Sequence, residues 1–212
     1  MSRNRAISSS QNSCSSNPCL HNETCLNGFT ATGYFCECQD GYSGEQCEKD
    51  IDECVSGVHD CHSSASCTNT VGSYKCSCDQ PYIGDGKTCK MTSECQNYKR
   101  LTSGDRKVTY STVKYKCDSS LGPNWYRFQG SAGTKMPTLC PKSRRCNTAQ
   151  TGWLSGGHPK VADGKVIRKV CFHWNSNCCN LHTNIQVRNC GSFYVYFLSG
   201  TPGCNLRYCG SN

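Results

Sequence analysis

The sequence predicts a small, disulfide-rich, mostly β protein: two short cysteine modules followed by a larger β-rich domain stapled by further cysteines. Three observations lead there. Cysteine makes up 22 of the 212 residues, above the roughly 8–10 % that marks a disulfide scaffold. The first twelve cysteines repeat one spacing twice, and the remainder of the chain alternates apolar with polar residues between glycines and prolines.

Composition narrows the class further. The formal net charge is +8 and mean hydropathy is −0.63. The longest apolar run, Phe193 to Leu198, is six residues, far short of the roughly 18 that a membrane span requires. Cysteines at this density belong in an oxidising compartment, which sets aside an ordinary cytosolic enzyme and predicts an extracellular protein. Met1 to Ser13 offers only Ala6 and Ile7 after its arginines, so no export signal is read there, and the polar Arg207 to Asn212 carries no anchor signal. Residues 1–13 read as a disordered segment of charge +2. Residues 14–47 and 48–89 each carry −4, and residues 90–212 carry +14. An acidic front and a basic rear imply modules with different partners.

Cysteines 14, 19, 25, 36, 38 and 47 are followed by cysteines 54, 61, 67, 76, 78 and 89, in the same order of two gaps, a Cys-x-Cys and a closing loop. Such units fall below the roughly 40 residues at which a chain usually needs covalent staples. Six cysteines allow 15 pairings. The segment from Cys38 through Gly41, Tyr42 and Gly44 to Cys47 in one unit, with Asp50-Ile51-Asp52-Glu53-Cys54 and Cys67 to Cys78 in the other, resembles the epidermal growth factor (EGF)-like family. The resemblance implies domains at 14–47 and 50–89. It pairs Cys14 with Cys25, Cys19 with Cys36 and Cys38 with Cys47, then Cys54 with Cys67, Cys61 with Cys76 and Cys78 with Cys89. It also implies a two-stranded hairpin turning at Val71-Gly72.

The second unit adds an acidic pattern that the first lacks. Calcium takes six to eight oxygens from carboxylates, amides and backbone carbonyls. The resemblance assigns the side chains of Asp50, Glu53 and Asn69, with the carbonyls of Ile51, Thr70 and Ser73, as ligands of a Ca²⁺ ion. Residues pinned to such an ion would stiffen the six-residue joint between Cys47 and Cys54, with Tyr42 packing on the Val71-Gly72 turn. The next joint, Lys90 to Glu94, has no such pattern, which leaves the rear domain free to swivel.

The same family resemblance marks sugar positions: Ser16 for O-glucose, Thr24 and Ser66 for O-fucose, and Ser43 for O-linked N-acetylglucosamine. Asn22 opens the chain's only N-x-Ser/Thr sequon. The growth-factor members end their last loop in Gly-x-Arg-Cys. Gly44-Glu45-Gln46-Cys47 stands here instead, and the receptor anchor is missing.

Residues 95–212 hold ten cysteines in a different spacing and form a third domain. Strands are expected over Val108 to Thr112, Val166 to Trp174, and Ile185 to Leu198 interrupted at Gly191. Trp125 to Phe128, Met136-Pro137, Thr151 to Pro159, Val170 to Trp174, Cys178-Cys179, Val187 to Gly191 and Phe193 to Phe197 together resemble the eight-cysteine domain of uromodulin-like proteins. Those relatives also place EGF-like units ahead of it. Ten cysteines admit many pairings. Cys178 and Cys179 have Cα atoms about 3.8 Å apart and need separate partners.

Two function classes follow. The first is a non-catalytic extracellular matrix or adhesion-type protein, a calcium-stiffened rod presenting a cysteine-rich head to extracellular proteins or glycans. The alternative is a polyanion binder, in which Lys142, Arg144, Arg145, Lys160, Lys165, Arg168 and Lys169 form a patch for sulfated polysaccharide. A bridge from Cys140 to Cys146 would hold the first three rigid. Nucleic acid suits the charge but not the compartment. His173 near Cys171 and His182 near Cys179 mimic a zinc set, yet no Cys-x-x-Cys supports it. No Gly-x-Ser-x-Gly elbow appears either, and no catalytic residues are assigned.

Overall fold

A computed structural model describes residues 13–28, 30–111 and 114–212. The expected disordered segment therefore falls almost wholly outside the described residues, as does Thr112. The chain falls into two compact units, one of residues 1–78 with 85–88, the other of 79–84 with 89–212. The division lies inside the second cysteine repeat.

The first unit is built from hairpins too small to bury a core without covalent help. Thr24–Asn27 pairs antiparallel with Tyr34–Glu37. Ala65–Thr70 pairs with Ser73–Cys78 about the Val71-Gly72 turn, where Gly72 adopts φ +71°. Bridges Cys14–Cys25, Cys19–Cys36 and Cys38–Cys47 staple the first repeat, and Cys54–Cys67 and Cys61–Cys76 the second. Cys78 and Cys89 are likewise disulfide-bonded.

The second unit holds a seven-stranded sheet. Its strands are β1 (Lys99–Leu101), β2 (Asn124–Phe128), β3 (Gln150–Ser155), β4 (Lys165–Trp174), β5 (Asn177–Asn189), β6 (Tyr194–Leu198) and β7 (Leu206–Tyr208). They lie in the order β7-β3-β4-β5-β6-β2-β1. The pairs β1/β2 and β3/β7 are parallel and the others antiparallel. β-branched and aromatic residues at every second position turn one face inward. On that face Phe128, Leu154, Phe172, Val187, Tyr196, Leu198 and Tyr208 are at most 1 % exposed, and Ala132 and Met136 from the loop after β2 join their cluster. Complete burial of each such side chain contributes about 1.5–3 kcal/mol. Helices are single turns such as Glu53–Ser56 and Ser93–Gln96, and no described helix is long and apolar enough to cross a membrane.

Three expectations are corrected. Val108 starts no strand: its N–H donates to the Gly210 carbonyl beside an isolated Lys107/Gly210 bridge, and the Tyr110 N–H donates to Lys107, so a single bridge followed by a turn satisfies this backbone in place of a ladder. Cys140 and Cys146 are not bridged to each other. Cys140 pairs with Cys178, Cys146 with Cys209, Cys95 with Cys190, Cys117 with Cys204 and Cys171 with Cys179. The Lys90–Glu94 joint is also no free hinge. Met91 and Tyr98 pack against buried Val195 and the Cys95–Cys190 bridge. Arg188 Nε lies 3.2 Å from Glu94 with both side chains largely buried, and its Nη2 donates to the Gln80 side chain at 3.2 Å. Packing and an ion pair thus hold this segment against the rear sheet.

Two buried polar clusters complete this unit. In one, Asp118 accepts both Nη atoms of Arg106 at 2.7 Å and the Tyr208 N–H at 2.9 Å, with Arg207 Nε 3.8 Å away. Asp105 takes Lys116, Arg207, Asn147 and Ser103. Burial pushes its carboxyl upward, but these donors outweigh burial and hold it well below the usual carboxylate range. In the other cluster His158 Nε2 lies 2.7 Å from the Tyr196 hydroxyl, and its ring lies over Tyr194. Desolvation, then the Lys135 charge, depress His158 to about 4. The unfolded chain binds this proton from about pH 6.5 downward and the folded chain only near pH 4, so His158 costs stability as pH falls across that window. After allowing for its partial exposure, the cost is about 1–2 kcal/mol. Thermal melts at pH 7 and 4.5 should show a smaller pH-dependent fall for His158→Gln than for the unsubstituted chain.

Candidate metal centre

The acidic residues ahead of Cys54 are placed by two short elements. Lys49–Asp50 pairs with Tyr42–Ser43, setting Asp50 opposite Tyr42, and the Ile51 N–H donates to the Gly41 carbonyl at 2.8 Å. Asp52 caps the next turn by accepting the Val55 N–H at 2.9 Å, which turns Glu53, the first helical residue, inward to 7 % exposure. The turn stops at Gly57, in the left-handed region at φ +73°.

Asp50 reaches across to the hairpin. Its Oδ2 accepts from Asn69 Nδ2 at 2.7 Å and its Oδ1 from the Gly72 N–H at 2.5 Å. These bonds, the Gly72 one foremost, hold the Asp50 carboxyl below its usual value. Asn69 faces Tyr74 across the hairpin and Thr70 faces Ser73, and Thr70 Oγ1 donates to the Ser73 carbonyl at 2.9 Å. Asp50 and Asn69 are thus in direct contact, Thr70 and Ser73 close the same hairpin, and Ile51 and Glu53 follow Asp50 in the chain. Two oxygens of this set, Glu53 Oε2 and Asn69 Oδ1, are buried without a hydrogen-bond partner. An unsatisfied buried carboxylate oxygen costs several kcal/mol unless a cation meets it. The residues therefore fit a hard divalent ion that prefers oxygen ligands.

The same segment carries the contact between the two repeats of the first unit. A Cβ on Gly41 would collide with the Gly72 carbonyl, and one on Gly72 would lie 2.6 Å from the Tyr42 hydroxyl. Both positions need glycine for this close approach, and His21 stacks on Tyr42 with ring centroids 3.9 Å apart. The meeting of Gly41 with Gly72 is a contact that cysteine spacing alone does not reveal.

Of the sugar positions, Ser16, Asn22, Thr24 and Ser66 are exposed and Ser43 half-buried. Ser16 Oγ donates to the Ser13 carbonyl and Ser43 Oγ to the Lys49 carbonyl.

The basic residues of the rear domain are not gathered into one patch. Lys142 and Arg144 are exposed and Arg145 half-buried. Their loop lies at the Trp174 end of β4, where His173 Nδ1 meets the Pro141 carbonyl at 2.6 Å and Arg144 stands 5.9 Å above the Trp174 ring. Lys165 opens the same strand, about 26 Å away at ~3.3 Å per residue. Arg168 faces opposite to its neighbours and donates to the Gly157 carbonyl at 3.2 Å. His173 lies beside Cys140 and Cys178, but those sulfurs are joined to each other and offer no thiolate to zinc.

This disulfide framework, the hairpin with its acid and amide oxygens, and the cysteine-stapled sheet define a modular protein whose parts match known families in order. Residues 14–46 match the EGF-like domain, 50–89 the calcium-binding EGF domain, and 126–210 the uromodulin-like cysteine-rich domain. The chain carries these three domains in that order. Among curated relatives it is 37 % identical over 261 residues to mouse uromodulin, across 90 % of this chain and 40 % of that protein. Rat uromodulin is 40 % identical, across 90 % of this chain and 39 % of that protein. The rat pancreatic secretory granule membrane major glycoprotein GP2 is 44 % identical over 119 residues, across 54 % of this chain and 22 % of that protein. The chain thus spans about two-fifths of the length of the uromodulins it matches.

Proposed function

We propose that the chain is a calcium-dependent extracellular interaction protein, in which the EGF-like pair is a calcium-stiffened stalk and the uromodulin-like domain presents the surface that partners meet. The observation that carries this reading is the pair of buried, unpartnered oxygens, Glu53 Oε2 and Asn69 Oδ1, in a segment that matches a calcium-binding EGF domain. Asp50, Glu53 and Asn69 would hold Ca²⁺ with their side chains, and Ile51, Thr70 and Ser73 with their carbonyls. When bound, the ion supplies the charge that two neighbouring carboxylates lack. Asp50 and Ile51 are already tied to Gly72 and Gly41, so ordering Asp50 orders the joint as well. The secreted setting agrees with the absence of free cysteine among the described residues and with the relatives' names. Sugar at Ser16, Asn22, Thr24, Ser43 and Ser66 belongs to the same reading.

Titration calorimetry should give a dissociation constant of about 10⁻⁴–10⁻³ M for Ca²⁺. Glu53→Lys, which removes one ligand and adds a cation, should abolish the heat. Chelator should speed proteolysis between Cys47 and Cys54 in the unsubstituted chain and leave the already fast cleavage of Glu53→Lys unchanged. Equal cleavage with and without Ca²⁺ would refute the stalk.

A second reading, binding of sulfated glycan by the rear domain, is favoured by one further observation. Residues 164–212 contain no aspartate or glutamate. The four carboxylates of residues 90–212 are engaged: Glu94 with Arg188, Asp105 and Asp118 in the buried cluster, and Asp163 by the Lys160 N–H at 2.8 Å.

A further inference from the structure

The strand registers bring together, on the sheet face opposite the main core, a row of residues that are far apart in sequence. Ile167 of β4 is the partner of Gln186 of β5, Gln186 of Phe197 of β6, and Phe197 of Trp125 of β2. Ile167 is 69 % and Phe197 36 % exposed. Ile167, Asn184, Gln186, Phe197 and Ser199 line one shallow groove. Two residues either side of Ile167, and so on the same face, stand Lys165 and Lys169. Both are exposed, and neither is ion-paired among the described residues. Trp125 packs edge-on against Phe197 at 5.5 Å and is anchored by the Cys95–Cys190 cluster, which holds the Phe197 ring in place. The other part of this face is already covered by Met91 and Tyr98; the groove is not.

Resting on the glycan reading, we propose that this groove is the site of the rear domain for an anionic polysaccharide, a chain of pyranose rings bearing sulfate or carboxylate. The chemistry of the groove matches each part of such a ligand. A pyranose ring offers an apolar C–H face that stacks on an aromatic ring, as Phe197 supplies. Its hydroxyls need donors and acceptors in close array, as the Asn184 and Gln186 amides and the Ser199 hydroxyl supply. Its anionic groups need cations at the rim, as Lys165 and Lys169 supply. No strand residue of this face is acidic; of the carboxylates beside it, Glu94 is paired with Arg188 at 3.2 Å and Asp163 accepts the Lys160 N–H at 2.8 Å. Packing of Phe197 on Trp125 means that the site is formed before the ligand arrives, which limits the ordering cost.

Calorimetric titration of the full chain with a heparin-derived decasaccharide tests this. Lys165→Gln with Lys169→Gln should weaken binding at least about tenfold, and Phe197→Ala at least about fivefold. The triple change Lys142→Gln, Arg144→Gln, Arg145→Gln removes more charge but should weaken it less than about twofold. Phe197→Leu keeps the apolar volume, so a loss of binding at unchanged melting temperature separates stacking from folding. If affinity follows the number of cations removed and Phe197→Ala is silent, the groove is overturned while the glycan reading stands. Failure of the unsubstituted chain to bind overturns both. Polyglutamate binding as tightly as the decasaccharide would overturn the assignment to sugar.

Discussion

Replacing Asp118 with alanine should lower the stability of the second unit by about 3–5 kcal/mol, the range for removing one partner of a buried ion pair. Asp118 is 3 % exposed, and the two guanidinium groups around it, Arg106 and Arg207, are 8 % and 4 % exposed. Both Nη atoms of Arg106 and the Tyr208 N–H end on its carboxylate. Without it, the Arg106 charge keeps only the Tyr208 carbonyl at 3.1 Å, and Arg207, which desolvation and Arg106 already push toward the neutral form, loses a counter-charge. The β7 backbone loses a hydrogen bond at the sheet edge in the same step. Urea denaturation with disulfides intact would read the loss as a lowered midpoint. The double change Asp118→Leu with Arg106→Leu should recover much of it, because no Arg106 charge is then left buried. A loss under about 1 kcal/mol for Asp118→Ala would contradict this account.

Phe172→Ala should cost a similar amount, about 3–5 kcal/mol, through the cavity it leaves. Phe172 lies on the interior strand β4, wholly buried, with its ring 5.9 Å from that of Tyr208. Across the strand pair it faces Gly152. A Cβ there would lie 2.9 Å from the Phe172 ring and 2.5 Å from the Arg207 carbonyl. The bare glycine makes room for the ring, and the neighbouring β7 backbone blocks any larger residue from refilling the space. Adding Gly152→Ala to Phe172→Ala should therefore fail to restore stability. Ile167→Ala, on the exposed face of the same strand, should change stability by less than about 0.5 kcal/mol. Parallel urea titrations of the three variants make the comparison.

The front of the molecule was legible because its chemistry is local. Asp50 and Ser73 are 23 residues apart, the intervening cysteines repeat a spacing, and a two-residue turn at Val71-Gly72 sets the register of the hairpin that carries Asn69, Thr70 and Ser73. The alternation over Val166 to Trp174 likewise announced β4, since period two survives wherever one face is buried. The Lys165, Ile167, Lys169 face could have been read from the same alternation, but not what stands beside it.

By itself the sequence determined the repeated modules, the dense cysteine content and the opposite charges of front and rear, all properties of composition and short spacing, while the donor set of the candidate metal centre came from the family resemblance. Only the tertiary structure decided which of the ten rear cysteines meet, because Cys95–Cys190, Cys117–Cys204 and Cys146–Cys209 close loops of 95, 87 and 63 residues, and no local pattern specifies a contact at that range. It also decided that Arg207 meets Asp105 and that Trp125 meets Phe197. Those encounters follow from the strand order β7-β3-β4-β5-β6-β2-β1, which is set by how one large apolar face closes over a shared core, and each residue's own neighbours carry no record of it.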